Sequence, residues 1–198
     1  IGQYALPCAL YLFKQKKPQL SVSVQSFPSL QILGQLREHS IQIGFIQNGC
    51  DLKDFNYSPV LKSRFILAAP PSTTVTSLDL TDLHTIPLIC SSDDSDLKKA
   101  LRLSLLEYGF ELNLLTPLLE LDGIESIKST VRAGHGYSFL PYFTIKKDLF
   151  VNELKEIKLK GVDLATSFSM VWKKEKSSTE VEQNFINFIK TEGVRAFC

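Results

Sequence analysis

The stretch from Asp122 to Pro141 constrains the fold of this chain more than any other. Asp122 and Glu125 have capping-box spacing, in which one carboxylate accepts the third helical N–H and the other reaches back to the cap. Ile124, Ile127 and Val131 then fall on one helical face, which predicts a short amphipathic helix docked on a sheet. Gly134 can take the left-handed conformation that ends a helix, and Gly136 keeps the turn tight. Tyr137 to Leu140 reads as a buried strand that Pro141 stops. Helix, glycine turn and buried strand make one half of an α/β unit, and in such units ligands gather where strands end.

A length of 198 residues fits one large domain or two small ones, and 44% hydrophobic with 22% charged residues is ordinary for a globular chain. The net charge of +1 excludes a whole-chain basic surface, so this segment is not expected to hold nucleic acid by itself. No apolar run approaches the roughly 18 residues that a membrane span needs. The chain starts at Ile1 with no basic-plus-apolar leader and reads as an excised piece of a longer protein. Cys8, Cys50, Cys90 and Cys198 are scattered without a Cys-x-x-Cys pair, which predicts four free thiols rather than a disulfide framework or zinc site.

In chain order, Leu6, Ala9, Leu10 and Phe13 predict a first helix, and the alternation Leu20, Val22, Val24 predicts a half-buried strand. Ser29 is placed to cap a second helix carrying Leu30, Leu33 and Leu36, before a strand at Ile41 to Ile46 and a turn at Asn48-Gly49. This β-α-β order predicts parallel neighbours with right-handed crossovers. Two extended pieces follow, at 60–61 and 65–69, and Pro70-Pro71 marks a crossing between domains. A second β-α-β order then runs through Leu88–Cys90, a helix bearing Leu97, Leu101, Leu105 and Tyr108, and Leu118–Leu121. Strands at 154–159 and 168–172 precede a last helix, started by Thr179 and Glu182, with Val181, Phe185, Phe188 and Ile189 facing inward.

These residues carry a resemblance. Ile1-Gly2 with Leu6-Pro7, Phe13 and Pro18 is similar to the first regulatory helix of LysR-type transcriptional regulators. Leu36, Ile41, Ile43, Gly44 and Ile46 resemble that family's Leu-x-x-Gly-x-Leu-Asp-Leu-Gly-Ile segment, and Leu83 with Pro87-Leu88-Ile89 its Pro-Leu-Ile stretch. Glu120, Ile127, Ala133-Gly134, Gly136 and Phe139-Leu140-Pro141 resemble its signature around Ala-Gly-x-Gly-Ile-x-Phe-Leu-Pro. The chain departs from the family at Ser40 and Gln42, at Pro28-Ser29 in place of a Gly-Asn/Asp-Thr turn, and at Ser91-Ser92-Asp93-Asp94 in place of a Gly-Ser-Gly loop.

The resemblance implies the family's effector-binding domain without its helix-turn-helix. The expected fold is α/β, with two Rossmann-like subdomains joined by two crossing strands in a type II periplasmic-binding-protein-like arrangement. Residues 1–69 plus 168–198 would form one subdomain and 70–167 the other. A small effector, a carboxylate or phosphate metabolite, would bind between them and drive a hinge motion. Further implied are a homodimer or homotetramer through the first helix and the 20–24 strand, DNA contact only through the missing amino-terminal domain, a cytoplasmic setting, and no cofactor. A stand-alone periplasmic-type solute-binding protein is the alternative.

The residues also supply candidate contacts directly. Ser29 and the Ser91-Ser92 pair sit where strand-to-helix loops offer backbone N–H groups to an anion, although serines there also simply cap helices. Gln47 lies past a strand end and His135 between two glycines, and Gly2, Pro28 and Phe139 complete the expected set. Asp93, Asp94 and Asp96 read as helix-start acids offsetting the dipole rather than as a cation site. No Gly-x-Ser-x-Gly elbow, phosphate loop, His-Glu-x-x-His or dinucleotide fingerprint is present, so no enzymatic activity is expected.

Overall fold

Pro7 is harmless in a first helical turn, where its missing N–H would have no acceptor, and helical periodicity takes over behind it. The computed structural model describes residues 1–47, 49–174 and 179–197, so the Asn48 half of the expected turn and Cys198 lie outside the described residues. Helix α1 (Leu6–Lys16) buries Leu6, Ala9 and Phe13, with Lys14 and Lys16 at the negative end of its dipole. Helix α2 (Ser29–Arg37) buries Ser29, Ile32, Leu33 and Leu36. Leu30, expected on that inner face, is instead exposed, because Ile32, Leu33 and Leu36 set the packed stripe. Strand β1 spans Gly44–Gln47. A Cβ on Gly44 would come within 2.4 Å of Ile32 Cγ2, so the glycine lets α2 lie directly on the strand.

The expected strand at Leu20–Val24 does not form. Residues 20–28 take no regular structure, and Val22 and Val24 are exposed. Alternation makes a strand only when a ladder partner exists, and none of the described strands pairs with this segment. Where two extended pieces were expected, one strand of 15 residues, β2 (Phe55–Ala69), runs unbroken.

Next come β3 (Ser77–Leu78), a 3-10 turn at Leu80–Thr85, β4 (Ile89–Ser91), α3 (Asp96–Leu106) and β5 (Leu119–Leu121). They are followed by α4 (Ile124–Arg132), β6 (Ser138–Pro141), α5 (Tyr142–Phe150) and β7 (Lys155–Leu159). The second expected β-α-β unit is present: β4 and β5 pair in parallel around α3, with Cys90 opposite Glu120. β2 pairs antiparallel with β6 and β7, and β3 is parallel to β7. Consecutive residues of a strand point to opposite faces. Phe65, Leu67, Ala69, Leu88 and Phe139 therefore enter one core with Leu101 and Leu105 of α3. Ile66, Ala68, Ile89 and Leu140 enter a second core with Ile127 and Val131 of α4 and Ile145 of α5.

The cap at Asp122 needs correction. Gly123, at φ +81°, is the N-cap of α4 and no side chain caps it; Glu125 turns instead to Lys128 and Arg132. Gly134 (φ +89°) ends α4 as expected. Gly136 is closely approached: a Cβ there would lie 2.5 Å from the Pro87 carbonyl, the group that accepts the Tyr137 N–H.

The chain returns through β8 (Ala165–Lys173) to α6 (Glu180–Thr191). β8 lies between β1 and β2 and pairs antiparallel with β1; because residues 20–28 form no strand, the parallel pair expected between 20–24 and 41–46 does not occur. The Thr179–Glu182 capping box is complete in both directions. α6 buries Ile186, Phe188 and Ile189, while Val181, expected inside, is exposed. Phe185 packs edge-on against Phe13, at 4.9 Å between ring centroids.

Unit 1 comprises Ile1–Lys62 and Ser167–Cys198, and unit 2 comprises Ser63–Thr166. The chain passes between them within β2 and again within β8, not at Pro70-Pro71. Residues 63–69, expected in the first subdomain, fall in unit 2, whose two cores hold Phe65 to Ala69. Cys8 is disulfide-bonded, which corrects the expectation of four free thiols, whereas Cys50 and Cys90 are free.

Candidate functional site

In unit 2 the loop from β4 to α3 is built by serines. Ser95 is the N-cap of α3, its Oγ accepting the Lys98 backbone N–H at 3.1 Å and donating to Ser91 Oγ at 2.8 Å. Ser92 contributes its carbonyl, which accepts the Ser95 N–H at 3.0 Å. Ser91 is buried and Ser92 half-buried. The capping role that could have fallen to Ser91 or Ser92 belongs to Ser95, so the two earlier serines line the loop.

Lys98 shares the inward face of α3 with Leu101 and Leu105, and its side chain is only 9% exposed. An ammonium out of water needs anions, and it has two: Glu120 of β5 at 2.5 Å and Asp93 of the loop at 2.8 Å. Burial alone would lower the Lys98 ammonium; the hydrogen bonds to Asp93 and Glu120 outweigh it and hold the group above its ordinary value. Lys98 in turn holds the Asp93 carboxyl below the usual carboxylate range. Burial pushes the Cys90 thiol up, which makes it a poor nucleophile. The sequence reading missed Lys98 entirely. The signal available was its position three residues before Leu101, on a face otherwise reserved for leucines.

In unit 1, Ser29 is the first residue of α2 rather than its cap, and Pro28, exposed, holds the N-cap position. The one-residue shift matters, because Ser29 Oγ accepts the Gln47 backbone N–H at 3.3 Å and ties α2 to the end of β1. Ser29 and Gln47 are both buried. Gly2 faces Ser26 and Val24, and a Cβ there would meet them at ordinary van der Waals distances of 3.4 and 3.8 Å. Among the described residues, the polar groups buried at this corner, Ser29 and Gln47, are uncharged.

Two other candidates in unit 2 lie apart from that loop in character. His135 is exposed in the glycine turn. Phe139 is 5% exposed and belongs to the leucine-rich core, opposite Leu67 in the β2–β6 register. Behind α4 a second ionic cluster joins Lys128 to Asp148 at 2.8 Å and to Glu125 at 3.0 Å, with Arg132 bridging to Glu153 at 2.8 Å. It fixes α5 on α4. Among the described residues no group of His, Cys, Asp and Glu is arranged to hold a metal, and no helix is long and apolar enough to cross a membrane.

A model of the LysR substrate binding domain matches residues 1–193, and the chain belongs to that family. The family is one of regulators, and its domains have the type II periplasmic-binding-protein-like fold. A probable RuBisCO transcriptional regulator of Phaeodactylum tricornutum is 22% identical over 196 residues, covering 96% of this chain and 64% of the relative. Another, from Cyanidioschyzon merolae, is 24% identical over 170 residues, covering 83% of this chain and 56% of the relative. The chain thus spans less than two thirds of these relatives. The regulatory domain of Synechocystis PCC6803 CcmR in complex with 2-PG superposes with a TM-score of 0.81 at 20% identity, covering 92% of this chain and 88% of that one. The effector binding domain of QuiR in complex with shikimate gives 0.80 at 15% identity, covering 100% and 94%.

Proposed function

We propose that this chain is the effector-sensing part of a longer LysR-type transcription regulator and that its effector is a small organic anion carrying a carboxylate or phosphate. The observation that carries the reading is Lys98, a buried ammonium at the β4–α3 loop, where an α/β unit receives ligands. Ser91 and Ser92 are the hydroxyl contacts in that loop, with His135 a further donor on unit 2. On unit 1 the contacts are Ser29, Gln47, Pro28 and Gly2; Phe139 acts from within the core by shaping the strand. DNA contact belongs to a part of the protein outside this chain, in a cytoplasmic setting, and the chain itself catalyses nothing.

Assembly as a homodimer or homotetramer has its own support. Tyr11 and Leu12 on α1, and Leu118 and Leu119 at β5, are large apolar side chains left exposed, 65%, 40%, 55% and 43% respectively. A thermal-shift titration tests the effector reading with 2-PG, shikimate, inorganic phosphate and neutral sugars. Anions should raise the melting temperature and Ser92→Ala should blunt the rise; stabilisation by neutral sugars alone would sink the proposal.

A further inference from the structure

We infer that the Asp93 carboxylate is a resident stand-in for the effector's anion, so that the effector binds by exchange at Lys98. This rests on the effector reading above and names the group that the ligand displaces. Lys98 holds two acids that differ in how they are held. Glu120 is fixed in β5 by its ladder position opposite Cys90, so releasing it would strand a strand residue against a buried cation. Asp93 sits on the loop with its side chain 72% exposed and meets Lys98 through Oδ1. Its release returns an already hydrated carboxylate to water and leaves the strand in place.

Asp93 also fits its cations incompletely. Arg102, one turn along α3, approaches the same oxygen at 3.8 Å, beyond hydrogen-bond reach. The Arg102 Nε is buried and has no hydrogen-bond partner. Asp93 thus hydrogen-bonds Lys98 but meets Arg102 only as a longer ion pair, whereas a free anion with more oxygens can bond both. The class selected is therefore a small dianion, a phosphate monoester or a dicarboxylate, whose second charge answers Arg102.

Calorimetric titration with inorganic phosphate and with succinate tests the exchange on the wild-type chain, Asp93→Ala, Arg102→Gln in that background, and Asp94→Asn. Asp94 is an exposed neighbour whose carbonyl accepts from Lys99 Nζ and whose carboxylate is not one of the two acids paired with Lys98, so its variant carries the same change of net charge without vacating the site. Asp93→Ala should bind phosphate about ten-fold tighter, and Arg102→Gln should cancel that gain. Asp94→Asn should change affinity by less than about two-fold, as a screened surface charge does. Wild-type binding with no gain in Asp93→Ala, or an equal gain in Asp94→Asn, would overturn the exchange while leaving the effector reading intact. No binding of either anion by any variant would overturn both.

Discussion

The two units bury different kinds of polar group. Among the described residues unit 1 buries Ser29, Gln47 and Ser169 and no charged side chain, whereas unit 2 buries Lys98, Lys128 and Asp148. Neutral groups lose little when a partner leaves; a charge out of water loses a great deal. Unit 2 thus has the greater sensitivity to anything that competes for an ion, and unit 1 holds its helices by hydroxyls and aromatic edges.

The strongest challenge to that contrast is Lys128→Met. The variant leaves Asp148, whose side chain is 8% exposed, with only the longer Arg132 pair at 3.6 Å, and should cost roughly 3 kcal/mol in urea unfolding. Ser29→Ala, its unit 1 counterpart, should cost about 1 kcal/mol. Equal losses would abolish the distinction.

A smaller effect than that of Lys128→Met concerns the Ile1 amine of unit 1. Burial pushes the Ile1 amine down from 8.0 to about 6. The folded chain prefers this amine neutral, so its contribution is complete above the unfolded value and is lost as pH falls from about 8 towards 6. For a polypeptide beginning at Ile1 the loss amounts to at most roughly 3 kcal/mol. Melting temperatures at pH 8.5 and 5.5 should diverge more for the free amine than for an acetylated one; identical behaviour of the two would show that the amine is hydrated. Of the same size as Ser29→Ala is Thr179→Ala, which removes one half of a capping box and should cost about 1 kcal/mol by the same urea assay. A cost near that of Lys128→Met would mean that unit 1 depends on its polar groups as heavily as unit 2 does.

Much of the framework was readable in the sequence wherever local pattern and tertiary packing agree. The capping box at Thr179 and the Ile127–Val131 face of α4 are such places, as is the β4–α3–β5 unit. At Asp122 and Glu125 a spacing of three residues suits both a cap and an ion pair on a helix face, and only packing decides between them. The Leu20–Val24 alternation carries no information about whether a neighbouring strand exists. Ser29 was placed at the right corner but one position off, which turned a cap into a link to β1. The buried lysines were least readable: a lysine amid polar neighbours looks like a solvated face until Asp148 or Glu120 arrives from a distant strand or helix.

β2 has a consequence of a different kind. Its leading half alternates, with Lys62 and Arg64 exposed and Leu61 and Ser63 half-buried, so water itself proofreads the register there. From Phe65 to Ala69 both faces are apolar, and a slip by one residue would still hide only hydrocarbon. In that half the check is one of volume: Phe65 and Leu67 must fill one interior, Ile66 and Ala68 the other. A single-residue deletion between 62 and 65 would leave the first half correctly seated and store its fault silently in the second.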